Sequence, residues 1–426
     1  MTKMKESGID WIGQIPEEWE MSKIRYLVTT RSEKRITDSS VPYIGLENIE
    51  SQTGKFVKTG IQVDKSENIV VEIGDVLFGK LRPYLRKYWR ATFTSTASSE
   101  FLVFQSSELD MNFLYYAIQS DSFIEEVNTS TYGSKMPRAS WEYIKNMRIA
   151  FPTSLVEQQK IADFLDKKTA QLDKAKALLE EQIQKLKDYR ASLIYETVTK
   201  GLDKTVPLKD SGIDWIGQVP EGWGVSRLKY LANKIGSGKT PLGGSEIFEE
   251  TGILFIRSQN IYNGLILLED KATYINRNIH QQMIGTCVKK NDILLNITGA
   301  SIGRVAKYDL DIEANVNQHV CIIRCDRFVL PDYLMYFIMS EFGQFMIKIH
   351  QISGNREGLS FDNIGNFKII IPDLDYQYKI SQYLNKKMLI INQMIKTKDQ
   401  QIENINKQRQ TLIYDYVTGK KRGKEI

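Results

Sequence analysis

The feature that most restricts the fold of this chain is an internal duplication. Residues 7–14, SGIDWIGQ, recur letter for letter at 211–218, an offset of 204 residues. The similarity continues along the chain, and 193–195 matches 412–414 at an offset of 219 residues. A repeat of about 200 residues has the size of a domain rather than that of a solenoid unit. The sequence therefore predicts one domain fold built twice, with a pseudo-twofold axis as the natural packing.

Composition narrows the class of protein. The chain has 426 residues, of which 42% are apolar, so it can bury more than one core. It has no run of about 18 apolar residues, and its start, MTKMKESG, lacks the apolar stretch of a signal peptide. We expect a soluble, cytoplasmic protein. A net charge of +5 is compatible with nucleic-acid binding but does not decide it.

Cysteine and histidine occur in the second copy alone and are not spaced as a zinc site. We expect reduced thiols that are buried or incidental, and no metal. A catalytic dyad confined to this copy is an alternative that the duplicated frame does not require. The residues concerned are Cys287, Cys321, Cys325, His280, His319 and His350.

Each copy ends in a predicted long helix. In the first copy, Ser154 and Glu157 form an S-x-x-E capping box, which satisfies free backbone amides at a helix start. No Pro or Gly interrupts the chain from there to about Lys200. Leucine recurs every seven residues, as in a coiled coil. The stripe consists of Leu165, Leu172, Leu179, Leu186 and Leu193, with Ile161, Ala175 and Tyr189 on the neighbouring seam position.

The second copy repeats this stripe after Pro372. Equivalent polar residues interrupt both stripes, and such residues fix the register of a coiled coil at some cost in stability. We therefore predict that the two helices pack on each other antiparallel, and about 45 residues span roughly 65 Å. Two separate amphipathic helices, each covering its own domain, are the alternative. The second stripe is Leu384, Ile391, Ile405 and Leu412 with Ile380 and Met394, and the polar pairs are Lys168 with Lys387 and Gln182 with Gln401.

The remainder of each copy has the pattern of a mixed α/β domain, with apolar runs in the same order in both copies. The predicted fold class is α+β, with two pseudo-symmetric mixed α/β domains separated by two long antiparallel coiled-coil helices. Predicted strands cover 41–44, 75–78, 100–104 and 147–151, then 253–256, 292–295, 319–323 and 367–371, with short helices at 111–119 and 331–339. The predicted boundaries are a first domain at 1–153, a helix at 154–200, a second domain at 201–373, a helix at 374–419 and a basic tail at 420–426.

Cations are concentrated in residues 78–90, FGKLRPYLRKYWR, which contain five Lys or Arg with aromatics between them and no acid. Such a segment can contact phosphates and base edges. The second copy has mostly neutral polar residues at the same place, 295–304, LNITGASIGR. A further pair of loops, 133–138 and 354–358, also carries cations. If these are reading loops, the two copies read different sequences. A solvated strand-turn-strand with extended Lys and Arg stems is the alternative.

Residues 236–241, GSGKTP, are similar to a phosphate-binding loop, but the motif G-x-x-x-x-G-K-[ST] requires Gly where Asn233 stands. Pro241 would also interrupt the helix that follows such a loop. We expect a turn that contacts DNA phosphate instead. The chain has no adenine-methylation motif of the Asn-Pro-Pro-Tyr kind, no glycine fingerprint for a nucleotide and no G-x-S-x-G. This pattern favours a binding subunit over an enzyme.

The whole chain resembles the DNA-specificity subunits of type I restriction–modification systems. The resemblance rests on the duplicated tryptophan spacing of the opening segments, on the turn at 236–241, and on the junction from Pro152 to Leu165. Two features depart from the family pattern: the second junction has Tyr376 where the first has Glu157, and the first copy lacks the Thr-Pro turn. The tryptophan pairs are Trp11 with Trp19 and Trp215 with Trp223.

The resemblance implies that each domain is a target-recognition domain for one half of a split double-stranded DNA target, and that the helices set the gap. Two DNA adenine methyltransferase subunits would dock on the helices and opening segments. S-adenosylmethionine and ATP would belong to partner subunits, which can include restriction subunits, and this chain would have no catalytic residue and no cofactor. Implied first-half contacts are Lys80, Arg82, Tyr84, Arg86, Lys135 and Arg138, and implied second-half contacts are Lys239, Asn296, Arg304, Asn355 and Arg356.

Two other functions are compatible with the same residues. A free-standing DNA-binding regulator would use both domains but would leave the long helical seam without a partner. An adaptor would use the coiled coil alone and would not depend on the identity of the loops.

Overall fold

The computed structural model describes residues 3–10, 12–37, 41–59, 66–133, 135–241, 243–269, 272–351 and 358–421. Two long helices dominate it. The first long helix is Leu155–Lys200 and the second long helix is Leu374–Val417. Gly201, in the left-handed region at φ +76°, follows the first long helix directly. Glycine is favoured at this position because a Cβ there is strained.

The chain divides into two compact units: residues 1–180 with 398–426 form unit 1, and residues 181–397 form unit 2. The division cuts through both long helices. Each helix therefore contributes its first part to one unit and its last part to the other. The reason is that each domain packs its core against segments of both helices.

The described part of unit 1 contains two four-stranded sheets. One is antiparallel, in the order Thr29–Thr30, Phe101–Gln105, Val76–Gly79 and Tyr88–Arg90. The other has the order Lys34–Ile36, Glu67–Val71, Ser95–Ala97 and Tyr43–Ile44, and its last pairing is parallel. Further pairs join Met4–Glu6 to Gln14–Pro16 and Trp19–Lys23 to Arg148–Pro152. The shorter α-helices are Met111–Ala117, Asp121–Thr129 and Trp141–Ile144.

The described part of unit 2 repeats this plan. Its antiparallel sheet has the order Ala232–Ser237, Val320–Cys325, Ile293–Asn296 and Val305–Lys307, and its mixed sheet has the order Tyr274–Ile275, Ile253–Ile256, Ala314–Val316 and Cys287–Val288. Pairs join Leu208–Asp210 to Gln218–Pro220, Gly224–Arg227 to Lys368–Ile371, and Ile261–Tyr262 to Leu265–Ile266. The shorter α-helices are Arg277–Gln282, Pro331–Met339, Glu341–Gln351 and Phe361–Gly365.

The order of elements in the two units agrees with the order predicted from the sequence. The strand Ile253–Ile256 and the helix Pro331–Met339 have the predicted bounds. The strands Val76–Gly79, Phe101–Gln105 and Ile293–Asn296 lie one residue later than predicted. Apolar runs locate these elements because every one of them is buried on at least one face.

The two long helices contact each other within each unit. In unit 1, the rings of Phe164 and Tyr416 lie 4.6 Å apart, and Asp173 lies 3.7 Å from Arg409. In unit 2, Arg190 Nη1 donates to Asn392 Oδ1 at 3.2 Å. As residue numbers rise along one helix they fall along the other, so the pairing is antiparallel, as predicted. The alternative of two helices that cover only their own domains is wrong.

The predicted seam is incomplete. Tyr189 and Met394 are exposed rather than buried in the seam, and Gln182 and Gln401 are exposed as well. An α-helix has 3.6 residues per turn, so a strict seven-residue spacing drifts around it by about 20° per heptad. The polar interruptions at Lys168 and Lys387 are equivalent in structure, because their ammonium groups lie over the rings of Phe164 and Tyr383 at 5.7 and 5.6 Å.

Candidate DNA-recognition interface

The basic cluster of the first copy forms a hairpin connection that we call the first loop, residues 80–87. It links the strands Val76–Gly79 and Tyr88–Arg90 through a 3-10 turn at Pro83–Leu85. Gly79 N donates to Lys87 O at 2.8 Å, which closes the loop, and Ala139 N donates to the carbonyl of Lys80 at 3.0 Å. Backbone hydrogen bonds therefore hold both ends of the loop.

The second copy builds the same loop with different side chains. The second loop, residues 297–304, links Ile293–Asn296 to Val305–Lys307. Asn296 N donates to Arg304 O at 2.8 Å, and Leu359 N donates to Ile297 O at 2.9 Å. These bonds match those of the first loop position by position, so the two loops share one backbone frame.

The shared frame places two residues of each loop in the left-handed region. In the first loop they are Arg82 at φ 51° and Arg86 at φ 53°; in the second loop they are Gly299 at φ 69° and Gly303 at φ 87°. A residue with a Cβ pays roughly 1–2 kcal/mol in this region, and glycine does not. The first loop thus carries arginine where its backbone favours glycine, which is the kind of local strain found at functional sites.

Two of the predicted first-half contacts are already bound to carboxylates. Arg86 forms an ion pair with Asp121. Arg138 forms a forked pair with Glu100, in which Nη2 donates at 2.9 Å and Nε at 3.2 Å. The hydrogen bond and charge of Glu100 raise the pKa of Arg138. Both arginines are therefore positioned by acids of the protein itself.

The other predicted first-half contacts form one surface. Arg82 N donates to Pro137 O at 2.7 Å, which joins the first loop to the loop that contains Lys135. Lys135 and Tyr84 are exposed, and Lys80 and Arg82 are half-buried. Among the residues that the structure describes, none forms a salt bridge with Lys80, Arg82 or Lys135. We call this surface, formed by Lys80, Arg82, Tyr84 and Lys135, the basic patch.

The predicted second-half contacts separate into three groups. Asn296 is fully buried and its Nδ2 donates to Ser258 O at 2.8 Å, so it supports the loop from inside instead of lying at the surface, contrary to expectation. Arg304 is exposed, with its guanidinium 4.9 Å from the ring centre of Tyr262. Lys239 is exposed where the strand Ala232–Ser237 ends. Asn355 and Arg356 lie outside the described residues.

Lys239 and the second loop leave the same end of their sheet. The strands Ala232–Ser237 and Ile293–Asn296 both pair antiparallel with Val320–Cys325, so they run in the same direction. Ser237 and Leu295 both lie opposite Cys321. The GSGKTP turn and the second loop therefore leave the same end of one sheet and lie side by side.

Exposed apolar and aromatic side chains beside both loops were not predicted. Tyr132 and Met136 lie in or next to the loop that contains Lys135, and Leu85 lies at the tip of the first loop. Tyr262 lies under Arg304 in the second copy. The Asn263-Gly264 pair that follows Tyr262 is a turn signal that marks it as a loop-tip residue. Tyr132 precedes Gly133 in the same way.

Polar contacts link the first domain to both long helices in unit 1. Arg409 Nη1 donates to Gln119 Oε1 at 3.2 Å, and its guanidinium lies 3.7 Å from Asp173. Asp173 and Arg409, together with Arg86 and Asp121, line a cleft of about 630 Å³. Cations and acids in the cleft are paired with one another, so their charges largely cancel. Arg86 of the first loop and residues of both long helices therefore meet at this cleft.

The departure at the second junction has a structural explanation. In the first copy, Trp19 Nε1 donates to the carboxylate of Glu157 at 3.2 Å. In the second copy, the ring of Trp223 packs edge to face against Tyr376, with centroids 5.6 Å apart. The Glu157 side chain is thus held by tryptophan, and only the Ser154 half of the predicted capping box is formed.

Three further kinds of feature concern the described residues: a metal site, a membrane-spanning helix and a reactive thiol. Within the described ranges, no three His, Cys, Asp or Glu side chains are grouped to hold a metal ion, and no described helix is long and apolar enough to cross a membrane. The three cysteines are free thiols, and burial raises the pKa of Cys321 and of Cys325 to about 12. These two thiols are protonated at neutral pH, which makes them unreactive.

The two equivalent loops and their sheets show that one domain fold occurs twice in the chain. The family model of the type I restriction modification DNA specificity domain matches residues 16–187 and again residues 220–404. The chain therefore belongs to the type I restriction–modification DNA specificity family. It is a specificity subunit, a class that recognises DNA and is not catalytic.

Known proteins agree with this assignment. The specificity subunit of the type I restriction enzyme MjaVIII of Methanocaldococcus jannaschii is 25% identical over 97% of this chain and 95% of its own length. The EcoBI specificity subunit of Escherichia coli is 26% identical over 72% of this chain and 65% of its own length. A chain from a structural study of complex assembly and conformational transition of the type I R-M system has the same fold, with a TM-score of 0.68, 16% identity, and coverage of 96% of this chain and 99% of that chain.

Proposed function

We propose that each copy reads one half of a bipartite double-stranded DNA target, the first copy through the first loop and the second copy through the second loop. One observation carries this proposal: the two loops have the same backbone frame and different side chains. Side chains that reach the base edges discriminate between DNA sequences, whereas the backbone frame of the loop fixes where those side chains lie. Two copies of one frame with different side chains therefore read two different half-sites.

The contact residues follow from exposure and charge. In the first copy, the basic patch of Lys80, Arg82, Tyr84 and Lys135 contacts phosphates and base edges, because its cations are not paired with acids of the described chain. Arg86 and Arg138 hold the loops in place through their carboxylate partners. In the second copy the exposed contacts are Lys239 and Arg304, while Asn296 supports the loop. Asn355 and Arg356, which lie outside the described residues, are included on residue type alone.

The long helices set the number of bases between the two half-sites. The first long helix has 46 residues, which corresponds to a length of about 69 Å at 1.5 Å per residue. Antiparallel pairing gives both units the same kind of helical support, as the pairs Asp173 with Arg409 and Arg190 with Asn392 illustrate. A continuous helix cannot change its length without breaking backbone hydrogen bonds, so the gap between half-sites is fixed.

Two DNA adenine methyltransferase subunits dock on surfaces that are the same in both copies. A surface that meets different partners is free to differ between the copies, whereas one that meets the same partner twice is constrained to match. Tyr26 and Tyr230 occupy equivalent positions, and each is 65% exposed beside a cation, Arg25 or Lys229. They belong to the repeated opening segments, which we assign to this docking. S-adenosylmethionine and ATP are held by the partner subunits, restriction subunits included where present.

The test is an exchange of the first domain. Residues 28–150 are replaced by the matching part of a relative, and methylated adenines are mapped genome-wide in cells that contain the methyltransferase partner. We expect one half of the methylated sequence to change while the other half and the gap stay the same, because the second loop and both helices are untouched. Assembly with the partner is retained, since Tyr26 and Tyr230 lie outside the exchanged segment.

Two outcomes would contradict the proposal. A change in both halves would show that recognition is not divided between the copies, and a changed gap would remove the spacing role of the helices. Loss of methylation at all sites, with intact assembly, would point to a regulator or adaptor instead of a specificity subunit.

A further inference from the structure

The tip of the first loop presents two apolar side chains to solvent. Tyr84 and Leu85 are 51% and 37% exposed. They lie in the 3-10 turn Pro83–Leu85, which Pro83 anchors by its burial. Leu85 N donates to Arg82 O at 2.8 Å. The backbone of the turn is therefore held while the two side chains project from it.

The fold does not require these side chains. At the equivalent positions the second loop has Ser301 and Ile302, and Ile302 packs against the core of unit 2. The second tip thus builds the same turn with no large exposed side chain. A tyrosine and a leucine side by side on a strained turn, where the equivalent turn of the second copy has neither exposed, point to a contact made with another molecule.

Charge on either side of the tip identifies that molecule as DNA. Arg82 precedes the tip, and Lys80 and Lys135 lie beside it; these are the cations of the basic patch. Phosphates on both sides of a groove would meet these cations, and the tip would then point into the groove. The apolar group that the major groove offers is the 5-methyl group of thymine.

We infer that Tyr84 and Leu85 are specificity-determining residues that contact the 5-methyl group of a thymine in the major groove of the first half-site. This inference rests on the proposed function and adds to it the chemistry that the first loop recognises. The neutral, small tip of the second loop makes no such contact. The two halves of the target therefore differ in how they respond to removal of thymine methyl groups.

Replacing thymine by uracil tests this directly, because uracil lacks only the 5-methyl group. The full chain in complex with its methyltransferase subunits is titrated with duplexes that carry the mapped target, with each thymine replaced singly. We expect uracil at one or more positions of the first half to weaken binding about four-fold, the equivalent of one buried methyl group. The second half does not contact Tyr84 or Leu85. Replacing its thymines by uracil should therefore cause no loss of affinity that depends on these two residues.

Variants of the tip connect the effect to its residues. Leu85→Ala and Tyr84→Ala should weaken binding to the thymine duplex and should no longer distinguish thymine from uracil. Tyr84→Phe keeps the ring and should retain the discrimination. Tyr143→Ala is the matched control, because Tyr143 is an exposed tyrosine of the same domain that lies on the short helix Trp141–Ile144 and not in the first loop. The melting temperature of each complex checks that the variants are folded.

Three results would overturn the inference: a first half without thymine on either strand, a first half in which uracil has no effect, or a uracil effect that persists in both alanine variants. Equal weakening of thymine and uracil duplexes by Leu85→Ala, with a loss of DNA bending, would mean that the tip is a wedge between base steps. Failure of the proposed function looks different, because the wild-type complex would then bind no defined two-part sequence.

Discussion

The first and second loops solve the same structural problem with opposite chemistry. Both have eight residues, both close through equivalent backbone bonds, and both place two residues in the left-handed region. The second loop fills those positions with Gly299 and Gly303, as backbone energetics favour. The first loop fills them with Arg82 and Arg86 and accepts the strain.

This difference separates what the fold requires from what recognition requires. The frame is fixed by backbone hydrogen bonds, which do not depend on side chains, so either loop could carry many sequences. The arginines of the first loop are therefore explained by their side chains: Arg86 pairs with Asp121, and Arg82 supplies charge to the basic patch. In the second loop, rigidity comes from Gln344, whose amide donates to Gly303 O at 3.0 Å.

Making the second loop resemble the first at Gly303 should have the largest effect on stability. In Gly303→Arg, the new Cβ would lie 2.6 Å from Gln344 Oε1, so the end of the Gln344 side chain has to shift, which disturbs the hydrogen bonds that its Nε2 donates to Gly303 and Ile338. Adding the left-handed strain, we expect a loss of about 2 kcal/mol or more in the free energy of unfolding. Urea denaturation of the full chain measures it.

Gly299→Arg is the matched control within the same loop. Its Cβ would meet nothing within 4 Å, although φ is also positive at +69°. The expected loss is therefore the backbone strain alone, about 1 kcal/mol. Equal losses for the two variants would show that Gln344 does not hold the loop.

Releasing Arg138 should have an intermediate effect, and the effect is on DNA binding. In Glu100→Gln, the negative charge and one of the two acceptor oxygens that hold the guanidinium are lost, so Arg138 is freer to contact a phosphate. We expect tighter non-specific binding, and a plot of log affinity against log salt that is steeper by about 0.9. Titrations between about 50 and 200 mM salt provide the measurement.

A second carboxylate separates this effect from net charge. Glu72→Gln makes the same change in charge, but Glu72 accepts a hydrogen bond from Thr94 and, among the described residues, forms no salt bridge with a cation. Its salt dependence should match that of the wild type. If both variants steepen the plot equally, the pair with Glu100 does not restrain Arg138.

Arg82→Gly should have the smallest effect on stability. Relief of left-handed strain, about 1 kcal/mol, is offset by the greater freedom of glycine in the unfolded chain, about 0.5–1 kcal/mol. The Arg82 side chain makes one long hydrogen bond in the described structure, 3.4 Å to Lys135 O. We expect the unfolding free energy to stay within about 0.5 kcal/mol while DNA affinity falls. A loss well above that in urea denaturation would assign Arg82 to the support of the loop.

The same comparison explains which predictions from the sequence were correct. Apolar runs located the strands on either side of each loop, because burial of a strand depends on its own residues. The basic segment also located the first loop. The sequence pattern did not show that Arg86 and Arg138 form ion pairs with Asp121 and Glu100, because those acids are 35 and 38 positions away along the chain. Asn296 appeared to be a polar loop residue and is the buried end of a strand.

The sequence by itself determined that the chain is a duplicated frame with two long helices and two different loops, because repetition, apolar period and composition are properties of order along the chain. Tertiary structure alone decided which loop cations are free and which are paired, which seam residues are buried, and where the two units divide. Those properties depend on distances between residues that are remote in sequence, and burial and charge pairing are set by these distances.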